Sequence, residues 1–208
     1  MNATALAPAV RDPLADQLLT PQNAALILID YQATQIAAVR SMDQDLLTKN
    51  IVSTVKLARA FALPIVHSTV NVASGRSAST IQPLAELLDG FPPIDRTTIN
   101  AWEDTAFLAA VRATSRRKLI LTALWTEMCL AFPALDALRE GFEVYPVTDA
   151  VAGTSVEAHR AALERVVQAG AQPITWASLA GELQRDWARS ETVGDVRRIV
   201  IEERLAKD

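Results

Sequence analysis

A chain of 208 residues, 50% hydrophobic and 21% charged, carries enough apolar material for one globular domain with a sizeable core. Its net charge of -4 and pI of about 5.3 leave no basic footprint for nucleic acid, and the short run Arg116-Arg117-Lys118 reads as loop charge ahead of a strand. No apolar run has the length of a membrane span, Met1 to Val10 lacks the pattern of a secretory signal, and a single cysteine cannot form an internal disulfide, so the expectation is a cytoplasmic protein with neither a membrane nor a nucleic-acid partner.

Residues 1–20 read as an N-terminal arm closed by Thr20-Pro21. Ala24 to Ile29 is a continuous apolar run, the pattern of a parallel strand buried on both faces. It stops at Asp30, a carboxylate at the carboxyl edge of a sheet, where open α/β folds bind ligands; capping of a turn is the plain alternative. Residues 31–40 form a loop or short helix. Asp43 to Ala62 is helical, with Leu47, Ile51, Val55 and Ala58 on one stripe. Leu63 to Val70 is a second strand with Pro64 at its start. It contains His67, which at a strand end is more commonly a hydrogen-bonded histidine than a ligand. A polar loop (71–80), a short helix (81–88) and a proline-extended segment (91–96) lead to a helix over 103–113.

Leu119 to Leu124 is a buried strand, followed abruptly by Trp125-Thr126-Glu127-Met128-Cys129 and a helix that Gly141 ends. With Thr126 as N-cap, Cys129 lies in the first helical turn, where free amides and the helix dipole lower a thiol pKa and can hold an oxyanion. The competing reading is a cysteine serving as a small buried hydrophobe. Pro133 conflicts with an unbroken helix and predicts a kink or a fresh start. Phe142 to Val147 is the next strand. Thr154 to Glu157 matches a capping box for a helix to Ala169, and 171–176 reads as a last short strand. A helix over 178–187 and an amphipathic tail (188–208, with Val193, Val196, Ile199, Val200 and Leu205) close a single domain spanning 1–208. The alternation predicts an α/β fold: a three-layer α-β-α sandwich around a central parallel sheet of Rossmann-like topology. If the strands before Asp30 and Cys129 are neighbours, the two side chains share one cleft.

From about Ala24 to Trp187 the chain resembles the isochorismatase-like cysteine hydrolases, in particular their YcaC-like branch. The resemblance rests on LILIDYQ at the first strand, INAWED in the middle, LILTALWTEMCLAFPALDALREGFEVYPVTDA around the cysteine, and AGAQPITW followed by ELQRDW. It implies an Asp–Lys–Cys catalytic triad with Asp30 as the aspartate and Cys129 as the nucleophile. Arg96, in IDRTTINAW, stands where the lysine normally does; it keeps the positive charge but does not readily release a proton. The resemblance further implies a cis peptide between Leu124 and Trp125 and an oxyanion hole built from the amides of Trp125 and Cys129. Nicotinamidase members bind a metal through an aspartate and two histidines. Here His67 and His159 are isolated, so neither a metal nor another cofactor is expected.

The chemistry implied is hydrolysis of a C–N bond in a small amide-like molecule through a Cys129 thioester, with Asp30 as base and Arg96 as charge stabiliser. Asn100, Trp102 and Trp125 are candidates for the pocket wall, and loops 31–42 and 71–80 for substrate choice. The small-molecule substrate is itself unspecified. The branch implies a homo-oligomer, an octamer by resemblance. Two other classes stand beside this one: a redox-responsive or scaffold protein of the same fold, and a phosphoacceptor at Asp30. The last lacks the extra acidic residues that would bind magnesium.

Overall fold

The structure, a computed structural model, describes residues 11–202. The start of the expected arm (1–10) and the end of the tail (203–208, with Leu205) lie outside the described residues. Five parallel strands form one sheet: β1 (Ala24–Ile29), β2 (Ile65–Val70), β3 (Ile94–Arg96), β4 (Lys118–Ala123) and β5 (Glu143–Pro146), in the order β3-β2-β1-β4-β5. The helices are α1 (Ala33–Ala37), α2 (Gln44–Ala60), α3 (Gln82–Ala85), α4 (Thr105–Ala113), α5 (Ala131–Arg139), α6 (Val156–Gln168), α7 (Trp176–Gln184) and α8 (Ser190–Arg197).

Both faces of the sheet are covered because the strand side chains alternate. Leu26 and Leu28 of β1 and Ile120 of β4 enter one core with Leu47, Ile51 and Val55 of α2, Leu183 of α7 and Val196 of α8. Ile27, Ile29, Leu119 and Leu121 enter the other with Phe107 and Val111 of α4, Ala134 of α5 and Val166 of α6. The result is the expected three-layer sandwich. Burying each large aliphatic side chain contributes about 1.5–3 kcal/mol.

Several local expectations change. The last predicted strand, 171–176, makes only one bridge, Val147 with Ile174, and α7 starts at Trp176 behind a Thr175–Ser178 capping box. Ser155, not Thr154, caps α6 by accepting from the Ala158 amide. Thr154 is drawn away: its amide and hydroxyl both donate to Glu127 Oε1, at 2.9 and 2.6 Å. Thr126 is not a cap either. Trp125 occupies that position with no side-chain cap bond, and Thr126 to Leu130 form one π-helical turn. Pro133 explains the break. It has no N–H for the Cys129 carbonyl, so a regular helix cannot run through, and α5 starts afresh at Ala131 with Pro133 in its first turn, where the missing donor costs little.

At the opposite end of the sheet Lys118 is buried. Its ammonium donates to the carbonyls of Asp16 and Gln17, at 2.7 and 2.5 Å, pinning the described part of the arm to β4.

Candidate active site

β1 and β4 pair side by side, from Ala24 opposite Lys118 to Ile29 opposite Ala123. The chain runs from β1 outward through β2 to β3, then returns to β4 and outward to β5, so the β1/β4 boundary is where strand order reverses. Open α/β sheets form their ligand crevice at such a point. Asp30 follows β1 there, and the π-turn with Cys129 follows β4.

Asp30 has φ 63, a left-handed backbone that aspartate tolerates better than most residues. Its side chain and that of Arg96 are completely buried, and Arg96 Nη2 donates to Asp30 Oδ2 at 2.5 Å. Arg96 ends β3, which pairs with β2 through Val70 and not with β1. It must therefore reach across two strand spacings, about 9.5 Å, which only a long side chain spans. Its Nη1 donates to the Thr98 carbonyl, fixing the fork. Buried Nε of Arg96 and Oγ1 of Thr98 have no hydrogen-bond partner.

Burial raises the Asp30 carboxyl to about 6, against the opposing pull of Arg96 and of a hydrogen bond from the Cys129 thiol. Asp30 Oδ1 nevertheless has no partner at full hydrogen-bond geometry, so the thiol contact is a loose one. Cys129 is 9% exposed, and burial followed by the neighbouring Asp30 charge pushes its thiol up to about 12, although Arg96 pulls the other way. The helix-terminus expectation of a lowered thiol pKa is thus reversed. Desolvation and a facing carboxylate outweigh the amides of a short turn. At neutral pH the proton rests on sulfur, and a carboxylate lies beside it.

The turn is braced from behind. The Thr126 amide donates to the Ala152 carbonyl, and its hydroxyl lies 2.8 Å from His159 Nδ1. Trp125 Nε1 donates to the Gln35 carbonyl. The Leu124–Trp125 peptide is cis. Met128 and Leu130 both donate their amides to the Trp125 carbonyl. His67 is engaged in structure, 2.7 Å from Thr80 Oγ1 through Nε2. Among the described residues no group of three or more His, Cys, Asp or Glu could hold a metal ion, and no helix is long and apolar enough to cross a membrane.

The other candidate residues divide. Trp125 stays beside the Cys129 turn. Asn100 caps a 3₁₀ turn (Ala101–Glu103) and donates to Asp136. Trp102 donates to Glu140 and packs edge-on against Phe107 and Phe142, the latter just before β5 and so at the amino end of the sheet. The polar groups of both side chains are engaged by the 3₁₀ turn, by α5 and by the residue that ends α5. One residue that sequence reasoning passed over is Gln32, fully buried two positions after Asp30. A glutamine with no apolar period, directly after a carboxylate turn, was its only signal.

The isochorismatase domain model matches residues 24–178. The chain is 40% identical over 171 residues, 81% of each chain, to Probable hydrolase YcaC of Escherichia coli (strain K12). Among solved structures it is similar to YcaC from Pseudomonas aeruginosa, determined with hexane-2,5-diol and covalent acrylamide (TM-score 0.84, 34% identity, 90% of this chain and 93% of that one). It is also similar to the YcaC gene product of Escherichia coli, described as an octameric hydrolase of unknown specificity (TM-score 0.80, 34% identity, 92% and 98% coverage).

Proposed function

The chain belongs to the isochorismatase family, as a YcaC-like member, and on that premise we propose that it is a cysteine-dependent hydrolase that cleaves a C–N bond in a small amide-like molecule. The observation that carries this reading is the buried Asp30–Arg96 pair beside Cys129 at the β1/β4 reversal. Asp30 accepts the thiol proton as sulfur attacks the carbonyl carbon. The amides of Trp125 and Cys129 receive the oxyanion, each such donor being worth about 3–4 kcal/mol. When the C–N bond breaks, the proton held by Asp30 passes to the departing nitrogen, and water then cleaves the thioester. Arg96 cannot relay a proton; its part is to keep Asp30 ionised enough to act as base.

A thiol held near 12 argues against the redox-responsive alternative, because oxidation by peroxide proceeds through the thiolate. Activation by a neighbouring base during attack needs no standing thiolate. The covalent acrylamide of the Pseudomonas aeruginosa relative is consistent with a nucleophile in that protein. We further propose a homo-oligomer, an octamer as described for the Escherichia coli relative, working in the reducing cytoplasm, where a free thiol persists.

The test is intact-mass spectrometry after incubation with a panel of small amides, esters and carbamoyl compounds, comparing wild type with Cys129→Ala. A mass increment on wild type alone establishes the acyl-enzyme and identifies the acyl group. No increment, with a thiol that labels no faster than free cysteine, rejects nucleophilic activation.

A further inference from the structure

Gln32 spends its whole side chain on one segment. Oε1 accepts from the Val70 amide at 2.9 Å, and the two hydrogens of Nε2 are shared among the Val70 carbonyl, Ser77 Oγ and the Ala78 carbonyl, at 3.1, 2.8 and 2.6 Å. Its main chain adds a bridge to Thr80, and the Ile81 amide donates to the Tyr31 carbonyl. The same loop is held from its other end by Asp95, which accepts from the Val72 and Ala73 amides and from Thr69 Oγ1. The Asn71 amide donates to the Arg96 carbonyl. Loop 71–80 is therefore tied at one side to the residue that carries the guanidinium and at the other to the turn that carries the carboxylate. Asp30 and Asn71 both have left-handed backbones, φ 63 and 60, a conformation that Asp and Asn adopt more readily than other side-chain-bearing residues.

We propose that Gln32 is a positioning residue that couples the order of loop 71–80 to the placement of Asp30 against Arg96 and Cys129. The inference rests on the reading of Asp30 as the base for Cys129. Without the Gln32 amide the Val70 and Ala78 carbonyls lose that donor, the loop is released, and the Asp30 turn loses its side-chain tie to the loop while keeping its main-chain bonds. A substrate that orders the loop would thereby set the base.

Cys129 is the only cysteine, so acrylamide alkylation followed by intact mass reads one site. Its rate over roughly pH 5–9 reports the proton acceptor. Trypsin cleavage after the exposed Arg76 reports loop order. Both are compared in wild type, Gln32→Leu, Gln32→Glu and the core control Leu183→Ala. Both Gln32 variants should be cut after Arg76 about tenfold faster or more, the change in open population expected from losing buried hydrogen bonds. Their alkylation profile should move by about half a pH unit or more. Leu183→Ala should move neither beyond its general loss of stability. Should Gln32→Leu fail to fold, Gln32→Glu, which keeps an acceptor for the Val70 amide and loses the Nε2 donor, carries both readouts with the same expected direction. Faster cutting with an alkylation profile superimposable on wild type overturns the coupling alone. A flat wild-type profile rejects Asp30 as base, and the coupling with it.

Discussion

At the scale of single residues the site is governed by desolvation. Asp30 and Arg96 are sealed from water, and neither would be stable there without the other. Arg96→Met is expected to cost about 3–5 kcal/mol by denaturant midpoint, because it strands a buried carboxylate. Asp30 titrates near 6, above its ordinary 3.8. The base form is the ionised one, so kcat/KM on whatever amide the mass panel identifies should fall as pH drops through about 6 and be flat above it, since the thiol titrates only near 12. Asp30→Asn should remove that limb together with about a hundredfold or more of the rate. An acid limb that survives in Asp30→Asn assigns it to another group. Asp30 and Cys129 were both legible as candidates from their places after apolar runs. The sign of the cysteine shift was not, because it depends on what faces the thiol across the crevice.

At the scale of elements, the turn bearing Cys129 is shaped by what packs behind it. Gly153 leaves room for Glu127: a Cβ there would lie 2.6 Å from Glu127 Oε2 and 3.0 Å from His159 Cβ. Gly153→Ala is expected to destabilise by about 1–3 kcal/mol and to slow Cys129 acylation, measured by thermal melt and intact mass. Unchanged acylation in a destabilised variant would show that the brace serves stability only. Lys118 offers the opposite case. Lys118→Met leaves the Asp16 and Gln17 carbonyls without a donor and should cost about 1–3 kcal/mol while acylation stays at the wild-type rate, because the residue sits at the amino end of β4. β1 and β4 could be read almost to the residue from their unbroken apolar runs. The caps could not: Thr126 and Thr154 have the right chemistry for capping, but His159 and Glu127 claim their hydroxyls from elsewhere in the chain.

At the scale of the whole molecule, large apolar side chains remain on the surface of the single chain, with Trp187 65% and Ile99 60% exposed. Scattered apolar residues are ordinary, but a tryptophan this exposed suits a contact between copies. Native mass spectrometry should find a mass eight times that of the 22.5 kDa chain, and Trp187→Ser should lower it. A wild-type monomer at micromolar concentration would reject the octamer.

The alternation of apolar strands and amphipathic helices is local information, carried by side-chain period, and it alone determined the α/β class and the seats of Asp30 and Cys129 at strand ends. Strand order, the reach of Arg96 over β2, the reversal of the thiol pKa and the bonds of Gln32 were decided only by the tertiary structure. Each depends on residues distant in sequence meeting in a space from which water is excluded. Neither periodicity nor residue type encodes how strongly a charge is felt there.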